Sequence, residues 1–184
     1  GNAKLLAGGH SLIPLMKLRL SEPEILIDIA SIPELHGITA NENVITIGAT
    51  TTHTEIASSN LLQQKAKILA ETAGGIGDVQ VRNHGTIGGS LSHADPAADF
   101  PAVMIALNAK IVIIGPNGER RVNAEDFFQD FLTVDIASNE ILIAVEFEEN
   151  SIAAYAKLPQ RASRYALVGI AVSLAITNQE CTTA

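Results

Sequence analysis

One cysteine, few charges and no long apolar run characterise this chain, and each scarcity closes off a class of function. The lone Cys181 cannot form an internal disulfide, and an iron–sulfur cluster needs about four such ligands. So little cysteine points to a reducing, cytoplasmic compartment. Charged residues make up only 17% of the 184, with 12 Lys and Arg against 20 Asp and Glu, a formal net charge of −8. No basic cluster is present to neutralise successive phosphates, which sets nucleic-acid binding aside. No apolar run approaches the ~20 residues of a membrane span. Hydrophobic residues, by contrast, reach 47%. A chain of this length buries about 70% of its unfolded surface, enough for a core without staples, in one large domain or two small ones. The sparsely charged surface suggests an area that faces a partner.

Periodicity and punctuation outline the elements. Lys4–Ala7 is a short apolar run closed by Gly8-Gly9, a strand entering a tight turn. Ser11–Leu20 reads as a short helix that Pro14 confines to a first-turn start, and Ile25–Ile29 as a buried strand. This strand–helix–strand unit predicts parallel pairing. Ser31 with Glu34 fits a one-turn helix, Ser as its cap. Gly37–Ala40 and Val44–Gly48 flank a hairpin turn. Thr52 with Glu55 forms a capping box, and Asn60 with Gln63 opens a further helix in which Leu62, Ala66, Leu69 and Ala73 make one apolar stripe. Residues 74–99 are rich in glycine. Asp95 as N-cap and Pro96 at N1 start a helix running to about Leu107. Lys110–Gly115 and Glu119–Val122 flank the turn Pro116-Asn117-Gly118. A short capped helix, Asn123–Phe128, precedes three strands at Ile141–Phe147, Ala153–Leu158 and Val168–Ile176. Hairpins dominate the second half, so its sheet should be largely antiparallel.

Two segments carry candidate chemistry: Ala7-Gly8-Gly9-His10-Ser11-Leu12, directly after a strand, and Gly85-Thr86-Ile87-Gly88-Gly89-Ser90. A phosphate is held by converging backbone N–H groups, which glycine permits through positive φ and close approach. A helix start adds free N–H groups and a favourable dipole. Two such loops, distant in sequence, fit one ligand with two phosphates, a dinucleotide. Each loop alone reads as readily as a plain turn, and neither has P-loop or Rossmann spacing. His10, His84 and His93 lack the spacing of a zinc site. His10 and His93 are candidates for the ligand pocket. Ser90, His93 and Asp99 could be assembled as a triad on paper, but no nucleophile elbow accompanies them. Asp95 is most simply a helix cap, whereas Asp99, without that duty, competes as a ligand contact.

The run Lys4-Leu5-Leu6-Ala7-Gly8-Gly9-His10-Ser11-Leu12 resembles the first flavin loop of the FAD subunits of molybdenum hydroxylases, the family of carbon monoxide dehydrogenase medium subunits and xanthine dehydrogenase FAD domains. Ile76–Asn83, Gly85–Ser90 and His93–Asp99 resemble the second loop and its helix. Ile45–Thr51 and Tyr155–Gly169 are similar to further segments, so the resemblance runs along nearly the whole chain.

That resemblance implies an α+β fold of the vanillyl-alcohol-oxidase (PCMH) type. A small parallel α/β subdomain (1–52) would precede a larger one with a mostly antiparallel sheet (53–160), and 161–184 would begin a further C-terminal domain. The first strand and helix of the usual subunit are also expected to be missing. FAD would lie between the subdomains. Leu6, Ala7, Gly8, Gly9, His10, Ser11 and Leu12 would hold its pyrophosphate, and Thr86, Ile87, Gly88, Gly89 and Ser90 would close from the other side. Asp95, Asp99, Leu142 and Lys157 match further cofactor positions, and Ile76 falls where relatives can carry an aromatic. The implied partners are a molybdopterin-binding large subunit and an iron–sulfur small subunit, with electrons passing through FAD to NAD or another acceptor; no residue here is assigned as a catalytic acid or base. A free-standing FAD-dependent reductase of the same fold and a non-enzymatic nucleotide-binding module are the alternatives. Flavin in the purified protein separates the first two from the third, and co-purifying subunits separate the first from the second.

Overall fold

Strand β1 (Ala3–Leu6) and strand β2 (Ile25–Asp28) pair in parallel, joined by helix α1 (Leu12–Lys17). The computed structural model describes residues 2–150, 152–177 and 180–183. Pro14 sits in the first turn of α1, where a missing N–H costs nothing. The expectation of a buried β2 is corrected: Ile25, Leu26 and Ile27 are 58%, 42% and 47% exposed. Among the described residues these two strands form a sheet of their own, and burial begins only at Ile29. The next turn, Pro33–Leu35, is 3-10, with Ile32 rather than Ser31 at the cap position and no side-chain cap.

β3 (Ile38–Asn41) and β4 (Val44–Gly48) form the expected hairpin. α2 (His53–Ser58) opens on a complete capping box: Thr52 Oγ1 accepts from Glu55 N–H, and Glu55 Oε2 accepts from Thr52 N–H at 2.8 Å. The stripe Leu62, Ala66, Leu69 and Ala73 is fully buried, but it spans two helices, α3 (Asn60–Lys65) and α4 (Lys67–Gly75), broken at Ala66. Ser59, not Asn60, caps the first of them, its hydroxyl accepting from Leu62 N–H. The glycine-rich stretch holds two helices that its composition concealed, α5 (Val79–His84) and α6 (Ile87–His93).

α7 (Phe100–Ala106) begins four residues later than an Asp95 cap leads one to expect. Asp95 instead closes a turn, Oδ1 accepting from Ala97 N–H at 2.8 Å. The chain continues through β5 (Lys110–Gly115), β6 (Gly118–Asn123), α8 (Ala124–Phe127), β7 (Phe128–Asp130), β8 (Thr133–Val134) and β9 (Ile141–Glu148). Asn123 stands at the cap position of α8, but its amide donates to the Asp126 side chain and caps no backbone group. β10 (Ala153–Pro159) and β11 (Ala166–Ser173) form a hairpin, and β12 (Ala175–Thr177) pairs with β13 (Glu180–Thr183). The last strand expected at Val168–Ile176 is thus two, separated at Leu174.

The larger layer is a five-stranded antiparallel sheet in the order β3-β4-β9-β5-β6. The β3–β4 hairpin, grouped with the small N-terminal unit by sequence, hydrogen-bonds into this sheet instead. Ile45, Ile47, Ile111, Ile113, Val145 and Phe147 from the sheet pack with Ile56, Leu69, Ile87, Leu91, Phe100, Val103 and Met104 from the helices. The architecture is a mixed α/β fold: a small parallel unit, then an antiparallel sheet with a helical layer. Among the described residues no helix is long and apolar enough to cross a membrane.

Leu69→Ala should lower the unfolding free energy by about 3 kcal/mol in urea titrations, because its fully buried side chain leaves a cavity. Leu158→Ala, 61% exposed, should change it by less than about 0.5 kcal/mol.

Candidate functional site

The first glycine loop leaves β1 and turns back at Gly9, whose φ of +71° lies in the left-handed region that glycine tolerates without strain. Gly8 is needed for a different reason. A Cβ there would collide with the His84 carbonyl and stand 3.0 Å from Gly85 Cα. The two glycine segments, distant in sequence, therefore touch backbone to backbone. Among the described residues, the N–H groups of Ala7, Gly8, Gly9, His10 and Ser11 have no intramolecular acceptor. Five successive amides of this kind are costly unless water or a ligand receives them.

The second segment behaves differently from the expectation of a matching amide cradle. Thr86 bridges to Thr52. Ile87 N–H donates to Thr51 O (3.1 Å), Gly88 N–H to Ala49 O (2.9 Å) and Ser90 N–H to Thr86 O (3.0 Å). Gly89 N–H donates to Thr86 Oγ1 at 3.2 Å. The first-turn donors of α6 are thus satisfied within the protein. Gly88 is a packing glycine: a Cβ would lie 2.6 Å from Ala49 Cβ, so a larger side chain there would break the core rather than fill a phosphate site. Ile87, expected at the ligand, is fully buried among core residues and off the cavity wall.

Between the small unit and the helical layer lies a cavity of about 750 Å³, a size typical of ligand clefts. Its walls include Leu6, Ala7, Gly8, Gly9, His10, Ser11 and Leu12 on one side, and Ile76, Thr86, Gly88, Gly89, Ser90, Asp95 and Asp99 on the other, with Leu142 between them. The two loops are therefore brought together around one space. His93 also lines it, whereas His84 stands outside, its ring 5.6 Å from that of His10. Most of the wall is apolar, with a few polar groups.

Asp99 is 5% exposed. Its Oδ1 accepts from the Tyr155 hydroxyl at 2.7 Å, and its Oδ2 from Lys157 Nζ at 3.0 Å. Lys157 does not line the cavity. It stands behind Asp99 and also donates to Gly75 O, so its place is to hold Asp99. Arg82 donates to the carbonyls of Ile76 and Gly77, and Arg164 to that of Gly77. Both guanidinium groups thus secure the chain beside the cavity.

His53 escaped sequence reasoning, which read only the capping box beside it. Its backbone N–H donates to Gly85 O (2.9 Å), its ring packs on Phe100 at 5.3 Å, and it lines the cavity. Gly85 gives it room, since a Cβ there would stand 2.8 Å from Nε2. Nδ1 is buried and unpartnered among the described residues. Burial, then the nearby His10 and Arg82, pull its pKa down to about 4. Among the described residues no group of three or more His, Cys, Asp or Glu side chains is placed to hold a metal.

An α/β unit docked on a helix-covered sheet, with unpaired amides on residues that line a mainly apolar cleft, defines a nucleotide-cofactor-binding domain. Residues 1–147 match the family described as the FAD binding domain in molybdopterin dehydrogenase, and the chain belongs to that family. It is 45% identical over 174 residues to the carbon monoxide dehydrogenase medium chain of Hydrogenophaga pseudoflava, covering 93% of this chain and 61% of that one. It is 39% identical to the glyceraldehyde dehydrogenase medium chain of Sulfolobus acidocaldarius, covering 97% and 64%. Its structure superposes with a TM-score of 0.95 on a chain of Hydrogenophaga pseudoflava carbon monoxide dehydrogenase lacking the Mo-pyranopterin moiety, at 42% identity, covering 100% of this chain and 65% of that one. The chain therefore spans about two thirds or less of the length of these relatives.

A histidine whose folded pKa is depressed binds fewer protons than the unfolded chain between pH 6.5 and 4, so stability rises with pH across that window. His53 should cost on the order of 3 kcal/mol between pH 7 and 4. Urea unfolding of His53→Gln at both pH values should show a correspondingly shallower loss. An identical pH dependence in the variant would contradict a buried, neutral His53.

Proposed function

We propose that this chain is the FAD-binding part of the medium subunit of a molybdenum-containing dehydrogenase, with a flavin domain of the PCMH type. The observation that carries this is the run of five unpaired amides, Ala7 to Ser11, on a cleft with a mainly apolar wall. Converging amides suit a diphosphate, and the apolar wall, Leu142 included, suits a flavin ring. Asp99, a buried acceptor, suits a ligand hydroxyl. The residues present therefore fit the cofactor that names the family.

Bound FAD supplies transfer of single electrons and of electron pairs. The chain's own residues bind it, orient it and exclude water. Ala7–Ser11 hold the diphosphate, and Thr86, Gly88, Gly89 and Ser90 build the opposing wall. Lys157 keeps Asp99 paired, and Asp95 shapes the turn that brings Asp99 to the cavity. In the proposed assembly an iron–sulfur small subunit delivers electrons from a molybdopterin-binding large subunit, and NAD or another acceptor removes them, in the cytoplasm.

Ser11→Asp tests the assignment. The new carboxylate would occupy the free amides and repel a diphosphate, lowering FAD affinity about a hundredfold or more. An anion at the start of α1 should leave the melting temperature of the FAD-free protein unchanged or raised. FAD binding measured by flavin-fluorescence titration decides: parent-like affinity in Ser11→Asp would defeat the proposal.

A further inference from the structure

The hairpin of β10 and β11 makes a clamp behind Asp99. Tyr155 and Lys157 are two residues apart on β10 and so share one face. That face packs toward the core and delivers both donors to the Asp99 carboxylate, the hydroxyl at 2.7 Å and the ammonium at 3.0 Å. Across the hairpin, Gly169 is the register partner of Lys157. A Cβ at Gly169 would collide with the Tyr155 hydroxyl and stand 3.0 Å from its ring Cζ. Its φ is not positive, so space for the tyrosine, rather than backbone conformation, accounts for the glycine.

We propose that Tyr155 is a positioning residue for the cofactor: with Lys157 it fixes the Asp99 carboxylate at the cavity wall, where the free lone pairs accept from the hydroxyls of the sugar or polyol part of the dinucleotide, and Gly169 is the gap that admits it. This rests on the FAD reading above. A carboxylate offers about four lone-pair sites and donates nothing. Two are used behind it, so what it meets in the cavity must carry donors, which hydroxyls do and phosphates do not. An acceptor already held in place loses little freedom when the ligand arrives. Burial, then the bond to Asp99, raises the Tyr155 pKa above the ordinary phenol value, so the hydroxyl keeps its proton at neutral pH.

The experiment measures FAD affinity by fluorescence titration, and melting temperature without FAD, for the full-length subunit. The variants are Tyr155→Phe, Asp99→Asn, Gly169→Ala and the pairwise combinations with Tyr155→Phe. Tyr155→Phe should weaken FAD binding about tenfold, the size of a hydrogen bond to a charged group. Because it acts through Asp99, adding it to Asp99→Asn should cost nothing further in affinity. Gly169→Ala should weaken binding as Tyr155→Phe does, and the pair should lose less than the two single losses added, since removing the hydroxyl removes the closest contact and leaves only the ring carbons, at 3.0 and 3.1 Å, to give way. Losses that add in full, or a Tyr155→Phe affinity within about twofold of the parent, overturn the proposal. A parent protein that binds no FAD defeats the underlying reading and this one with it, and is told apart because no variant then matters.

Discussion

The cavity depends on one constraint: at Gly8, Gly85 and Gly88 neighbouring stretches of chain come so close that a Cβ would have no room. Gly8 lies against the His84 carbonyl, Gly85 against His53, and Gly88 against Ala49. Between them run the Thr52–Thr86 bridge and the His53–Gly85 hydrogen bond. The small α/β unit is thereby fixed to the end of α5, and the start of α6 to the sheet. The cleft is the space left over. Close contact accounts for Gly85 and Gly88 in a segment that is largely helical, whereas Gly77 serves a positive φ of +47° and Gly75 has open space around it.

Local chemistry was legible in the sequence. The parallel β1–α1–β2 unit, both hairpin turns, the Thr52–Glu55 capping box and the buried Leu62–Ala73 stripe follow from spacing alone. The first glycine loop was legible too, because its amides have no competing partner nearby. The second was misread in mechanism: nothing in Thr86–Ser90 announces that Ala49 and Thr51 will accept its N–H groups. Asp95 resembled a cap because Asp-Pro usually starts a helix, yet its carboxylate is taken by Ala97 and the helix waits until Phe100. The clamp on Asp99 joins residues more than fifty positions away, and no periodicity reports that. The exposure of β2 was hidden for a similar reason, since an apolar strand reads as buried whether or not a layer covers it.

The chain is acidic overall, and the lysine and arginine side chains on the cleft wall are Lys4 and Arg164. Arg82 and Arg164 face carbonyls, and Lys157 faces Asp99. On the proposed reading the Ala7–Ser11 amides meet the diphosphate with dipoles that carry no net charge, undergo little reorganisation and do not titrate. His53 is kept neutral by its surroundings.

The order of strands in the large sheet carries a consequence for assembly. β9 is the seam between β4 and β5, so Val44 finds its second partner at Glu148, and Lys110 pairs with Glu146. In a nascent chain the β3–β4 hairpin can pair internally, but the other edge of β4 has no partner until β9 has been synthesised. Leu142, on that same seam, closes the cleft. The cleft wall thus draws on residues from Lys4 to Tyr165, and a chain stopped short of β9 lacks part of it.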